Sequence, residues 1–463
     1  MKKMIQNDQI PPRVVAAVIA TGLMSFCGVI VETAMNVTFP ILMSEFSLTT
    51  NMVQWVTSIY LLVVAIIVPL SAILKSSYRT KSLFTVAVCL FILGVIIDAC
   101  AGSFLLLLLG RAVQGIGTGI ALPLMFNIIM EQVPQSKIGF MMGIGNLITG
   151  IAPAIGPTFG GIIASRLSWR WVFYIMLPLL ILSFILGQWG IQQRSIIHKK
   201  SIDLVSLLMI VFLFTGLVVG FSNLGNMAFL SLSVLGTFLL GILGMLGLIW
   251  RSLKLATPIL NLRLFANRIF TDHIIGFFLT QIISLGFAFL LPNYIQLVNG
   301  STSMIAGLVV LPAGVAGAIF APLGGKILDY FGARRPVLFG MGLCFCSLVI
   351  FSLISRRMTN ETIACVYILY MAGMGMCMGC VMTSALKSVG PDQTTQGNAI
   401  LNTLQQFAGA MGTSIAAMIV ANSQTHLNVS RTVSTAIGTQ HALILLTIFS
   451  VVIWISYYRG VKD

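Results

Sequence analysis

Gly150-Ile-Ala-Pro153-Ala-Ile-Gly156-Pro157-Thr-Phe-Gly160-Gly161 is a charge-free run in which prolines and glycines recur at helical spacing. Pro153 and Pro157 are four apart, so both bend a helix on one face. Gly156 and Gly160 form a small-xxx-small pair that lets a neighbouring backbone approach closely. A lone pair of that kind says only that helices pack; two prolines interleaved with the glycine series say more. The rest of the chain sets that helix in a membrane. Of 463 residues, 58% are apolar and 8% are charged, against roughly 25% charged in a soluble domain. The mean hydropathy of +1.02 excludes disordered, coiled-coil and soluble globular chains. Eight cysteines are too sparse for a disulfide scaffold.

A membrane span needs about 20 apolar residues. Apolar runs read against turn and charge signals predict fourteen such helices. The first six begin near Val14, Asn51, Ser82, Leu105, Ile138 and Trp169. The other eight begin near Ile202, Ala228, Ile269, Ser303, Pro336, Ile363, Thr395 and Thr435. The first is too long for a cleaved signal and lacks a small-residue cleavage site, so it stays as a helix. Basic residues give the orientation. With both termini on the cytoplasmic side, twenty of the 26 Lys and Arg fall in inner segments. Arg166, Arg170, Arg356, Arg357 and Arg431 fall outside, and Arg111 alone lies inside a span. That split follows the positive-inside rule. The net charge of +15 is therefore topological; it implies anionic lipid headgroups rather than nucleic acid as neighbours.

Pro69-Leu70 returns as Pro322-Leu323, and Gly145-Asn146 returns as Gly397-Asn398, both after about 250 residues and at matching topological positions. The chain thus reads as an all-α membrane protein of two six-helix halves, residues 1–192 and 266–463. An inserted helix pair with its linkers, residues 193–265, separates them. Two parallel halves of this kind are a transporter architecture, with the substrate path between them near the bilayer midplane.

At this point the residues carry a resemblance. Ala152 to Gly161 fit the antiporter motif of the drug:proton exporters of the major facilitator superfamily, and Gly150, Pro153, Gly156, Pro157, Gly160 and Gly161 are its residues here. Glu32-Thr-Ala-Met-Asn36-Val-Thr-Phe-Pro40 resembles the first-span signature of the fourteen-span branch, and Arg111-Ala-Val-Gln114-Gly115-Ile-Gly117 its fourth. Trp169-Arg-Trp-Val-Phe-Tyr174 resembles the entry to its sixth span, and the stretch from Gly397 to Gly412 its thirteenth. Within the branch the first three spans look most like bacterial lincomycin and multidrug exporters. One loop departs. Where the family usually has Gly-x-x-x-Asp-x-x-Gly-Arg between spans two and three, this chain has Ser71-Ala-Ile-Leu-Lys75-Ser-Ser-Tyr78-Arg79. The equivalent loop of the second half keeps the pattern, so the resemblance implies an inter-half latch at Gly325, Asp329, Gly332, Arg334 and Arg335.

Intramembrane acids are costly and usually functional. Glu32 is the one acid well inside a predicted span and is the leading proton carrier, with Arg111 and Gln114 sharing one helix face as coupling residues. Asp98, near the outer end of the third span, reads as a solvated helix-end acid and is next in line for the proton; Glu131 reads as solvated at an inner end. Asn398, Asn402, Gln405, Gly409 and Gly412 form one polar-to-small stripe, fit for packing or for lining a wet cavity. Met374 and Met378 lie in a methionine-rich span suited either to core filling or to varied apolar ligands. Asn36, Trp55, Tyr60, Phe126, Gln281, Asn293 and Tyr294 complete the candidate substrate pocket. The four histidines are scattered, and Cys377 with Cys380 lacks partner ligands, so neither metal nor cofactor is expected. The expectation is a monomeric, multi-pass cell-membrane exporter, not an enzyme, exchanging protons for amphiphilic or cationic drugs, with the proton gradient as its energy source. A dedicated exporter of an endogenous lipid, peptide or metabolite is the first alternative, and a non-transporting membrane sensor the second.

Overall fold

The computed structural model describes residues 10–48, 50–53, 55–198, 202–224, 231–426 and 429–461. Lys2, Lys3, Lys199, Lys200, Lys462 and Ala228 lie outside them. The described residues contain helices and no strand. In a bilayer the backbone must satisfy its own hydrogen bonds, and a helix does so within one segment. The long helices are α1 (Pro12–Phe46), α2 (Trp55–Ser77), α3 (Thr80–Ala99), α4 (Phe104–Gln132), α5 (Ile138–Arg166), α6 (Trp171–Gly190) and α7 (Leu204–Leu224). They continue as α8 (Leu232–Lys254), α9 (Arg268–Leu297), α10 (Ser303–Phe331), α11 (Arg334–Ile354), α12 (Asn360–Ser388), α13 (Thr394–His426) and α14 (Arg431–Gly460). All fourteen begin within four residues of the starts expected from sequence. Thirteen are long and apolar enough to cross a membrane among the described residues, and α7 holds a shorter apolar stretch, Leu204–Gly220.

The ends are set by side chains. Ser103, Asn267, Thr302 and Thr359 accept backbone N–H bonds at the starts of α4, α9, α10 and α12. Gly332, at φ 81°, ends α10 in a conformation that a side chain disfavours.

Packing repeats along the chain. In the first half α1 lies against α4, α5 and α6, α2 against α4, and α3 against α4 and α6. Eight helices on, α9 lies against α12, α13 and α14, α10 against α12, and α11 against α12 and α14. The halves meet where α5 packs on α10 and α12, and where α13 packs on α2 and α4. Helix α7 leans on α2 and α13 along that second seam, and α8 packs on α7. One end of the bundle carries the α2–α3 and α10–α11 turns, and is called the basic end below.

Candidate functional site

Within the first half, one face of α1 looks toward α2 and α4. Gly28 sits so close to them that a Cβ there would meet Tyr60 Oη and Thr118 Oγ1. One turn on, Glu32 is partly buried, within electrostatic reach of Arg111 and Tyr60, and makes no hydrogen bond among the described residues. A further turn on, exposed Asn36 accepts a 2.7 Å bond from Thr57 Oγ1. Behind this face α5 presses on α1: a Cβ at Gly156 would collide with Thr33, and one at Gly160 would come 2.8 Å from Ala34 Cα. The glycines of the motif thus allow close contact with the turn of α1 that carries Glu32. Gly161 is in ordinary contact range of Val37, while Gly150 faces open space. Pro153 and Pro157 lie inside the helix as expected.

Arg111 is fully buried. Its Nε donates to Val56 O at 3.1 Å, its Nη1 donates to Gln114 Oε1 at 2.7 Å, and its guanidinium lies 4.2 Å from the Tyr60 ring centroid. Gln114 Nε2 in turn donates to Asp98 Oδ2 at 2.7 Å. Tyr60 Oη donates to Thr118 Oγ1 at 3.0 Å. One amide therefore joins a permanent cation to the Asp98 carboxyl, and Glu32 lies within electrostatic reach of the same cation. Asp98 is 0% exposed, which overturns the solvated reading from sequence. What buries it is the close crossing of α3 and α4: a Cβ on Gly110 would run into Asp98 Oδ1, and one on Gly94 would lie 2.7 Å from Gly110 O. Glu32 is thus not the only acid held within the helices.

At the basic end the halves are clasped twice. Asp329, at the end of α10, accepts from Gly139 N and Phe140 N of α5, both at 2.9 Å. These are first-turn amides with no intrahelical partner, so a carboxylate from one half caps a helix of the other. Gly325 and Gly139 pack backbone to backbone beside it. Gly332 supplies the turn that follows, but Arg334 and Arg335 do not join the clasp. They stack on Tyr458 and Phe331, both at 5.2 Å. On the other seam Asn398 Nδ2 donates to Pro123 O at 2.9 Å and to Asn127 Oδ1 at 2.8 Å. Asn402 Nδ2 donates to Asn398 Oδ1 at 2.7 Å.

Several candidate pocket residues therefore lie elsewhere than expected. Asn398 joins α13 to α4, and Asn402 bonds Asn398 within α13, so both are buried rather than offering surface. Tyr60 is enclosed under Arg111, and Phe126 is 2% exposed in the α4 core. Tyr294 is enclosed, its Oη accepting from Met358 N at 3.2 Å. Met374 and Met378 are buried within α12, and Gln281 is buried on α9. Asn293 bonds its own helix at Phe289 O. Trp55, Asn36 and Gln405 keep accessible surface in this conformation. Lys75, where the family acid is missing, is 3% exposed and pairs with Glu131 at 2.8 Å, so Glu131 is not free in solvent. Asn127 and Thr57 are not among the residues the sequence singles out; Asn127 is an isolated polar residue in an apolar stretch, which is a signal the sequence offers, while Thr57 sits beside Ser58 near the start of its span.

The sequence profile of the Major Facilitator Superfamily matches residues 21–413. The chain is 35% identical over 408 residues to lincomycin resistance protein LmrB of Listeria monocytogenes, covering 88% of this chain and 87% of that one. It is 36% identical over 414 residues to the LmrB of Bacillus subtilis, covering 89% and 86%. A multidrug resistance protein B homolog of Mycobacterium tuberculosis is 25% identical, covering 91% and 78%. Among solved structures, the human organic anion transporter MFSD10 shares the fold, with a TM-score of 0.63 at 14% identity over 95% of this chain and all of that one.

Proposed function

The chain belongs to the major facilitator superfamily, and from that membership we propose that it exports amphiphilic or cationic drugs in exchange for protons. It is a multi-pass membrane transporter. Its relatives' resistance to lincomycin and to multiple drugs supports export of such compounds by this chain as well. The observation that carries proton exchange is the placement of Glu32: a carboxyl with no hydrogen bond among the described residues, beside a buried cation bridged to Asp98 through Gln114. Protonation of Glu32 removes one negative charge from the group of Glu32, Arg111 and Asp98. A proton and a cationic substrate would then compete for one negative charge, which makes their binding exclusive. Each proton carried inward supplies about 2.3 kcal/mol per 100 mV of membrane potential.

In this reading the basic end is cytoplasmic, with both termini, and residues 1–192 rock against residues 266–463 while 193–265 ride at the side. The clasps at Asp329 and Asn398 then keep the cytoplasmic end closed. A drug panel in an export-deficient host tests the substrate class. Protection against several unrelated amphiphiles supports the reading; protection against a single compound favours a dedicated exporter.

A further inference from the structure

At the basic end the linker between α6 and α7 does not hang free. Gln193 Oε1 accepts from Thr80 N at 2.8 Å, and Ser195 Oγ accepts from Lys75 Nζ at 2.7 Å. Gln132 Nε2 donates to Gln192 O at 3.1 Å, and His198 N donates to Ser76 O at 2.9 Å. These bonds pin the linker across the α2–α3 turn and the end of α4. Beside them is an open pocket of about 490 Å³ lined by Arg79, Lys81, Ile191, Gln193, Ser195 and Ile197.

Two cations face this pocket, and neither Arg79 nor Lys81 has a side-chain partner among the described residues. Glu131, at the end of α4, is already held by Lys75. Ser195 Oγ accepts from Lys75 and from Gln193, and its own O–H finds no acceptor among the described residues. Three donors thus line a space to which no acidic side chain among the described residues contributes, while Ile191 and Ile197 give it an apolar wall. Ile196, beside it, is 79% exposed. An exposed isoleucine next to unpaired cations suits the boundary between headgroups and acyl chains.

We propose that this pocket binds the phosphate headgroup of one acidic phospholipid. Arg79 and Lys81 take the phosphate charge, Ser195 donates a hydrogen bond to it, and the two isoleucines meet the start of an acyl chain. Lys75 shapes the site: by holding Glu131 and Ser195 it fixes the described part of the linker and leaves Arg79 and Lys81 without a partner among the described residues.

The test is intact-protein mass spectrometry of the full chain in mild detergent, titrated with phosphatidylglycerol, phosphatidylcholine or inorganic phosphate. The parent protein should retain one phosphatidylglycerol and no phosphatidylcholine. Arg79→Gln with Lys81→Gln should weaken that retention roughly 30-fold, at the usual strength of a cation near an anionic surface. A charge-matched control, Lys254→Gln with Arg263→Gln, removes cations already engaged by the Trp250 ring and by Leu253 O. It should change retention by no more than about threefold. Equal retention by Arg79→Gln/Lys81→Gln and parent, or equal loss in both double variants, overturns the site. Displacement of phosphatidylglycerol by inorganic phosphate at equal concentration overturns the lipid assignment in favour of a free anion.

Discussion

Removing the carboxylate of Asp329 should open the basic end. Its two oxygens accept from Gly139 N and Phe140 N at 2.9 Å, and both amides are orphans of the first turn of α5. Hydrogen bonds to a charged group contribute about 1.5–3 kcal/mol each, and partial exposure of Asp329 places these at the low end, for about 3 kcal/mol in total. The contacts can form only while the two halves are together at this end. Their loss therefore shifts the equilibrium between clasped and unclasped states by roughly 100-fold, at 1.4 kcal/mol per decade. Asp329→Asn keeps one acceptor and should shift it only about tenfold, by the same arithmetic. Spin labels at Gln135 and Tyr330, one on each half near the clasp, read the separation by double electron–electron resonance. The exposed Cys89, Cys100, Cys346 and Cys365 are first exchanged for serine. Asp329→Ala should add a long-distance population, with Asp329→Asn between it and the parent. A distribution for Asp329→Ala that overlays the parent's would refute the latch.

Three further outcomes follow from the packing. Gly156→Leu drives a side chain into Thr33 at an overpacking cost of about 1–3 kcal/mol; the chain should still insert, yet drug export in vesicles should lose its dependence on the imposed proton gradient, and unchanged dependence would reduce the motif to local packing. Gly110→Ala should displace the Asp98 carboxylate, so the thermal midpoint in detergent should fall by an amount equivalent to about 1–3 kcal/mol, and an unchanged midpoint would place Asp98 elsewhere. Bonds from the Arg251 guanidinium and from Ser206 hold the Asp203 carboxyl below its usual range. Such a group stabilises the fold above its unfolded pKa and loses that contribution as pH falls through its folded pKa. Asp203→Asn should therefore melt lower than the parent at pH 7, with the gap closing as pH drops below about 4; a gap constant with pH would contradict the ion pair.

The helices were legible because bilayer thickness dictates the length of every apolar run, and because basic residues mark alternate ends. The antiporter glycines were legible for the same local reason: their spacing along α5 is visible without knowing that Thr33 and Ala34 lie opposite. Asp98 was misread because its sequence position is near a helix end, while its burial comes from Gly94 and Gly110, which let α3 and α4 close over it. The stripe on α13 shows the same boundary from the other side. A period of 3.6 predicts that Asn398 and Asn402 share a face, but not that the face meets Pro123 and Asn127. The pairing of Lys75 with Glu131 needed the α2–α4 contact, which no local pattern records.

Proton exchange through Glu32 is tested most directly by drug uptake into everted vesicles on imposing a pH gradient, comparing the parent with Glu32→Gln. Glutamine keeps the shape and the hydrogen-bonding capacity of the protonated acid but cannot release a proton. The account predicts that Glu32→Gln still binds drug in the same membranes while gradient-driven uptake falls to the background of empty vesicles, and that Glu32→Asp keeps part of it. Uptake by Glu32→Gln at the parental rate would contradict the account and move the coupling proton to another group, with Asp98 the first to examine.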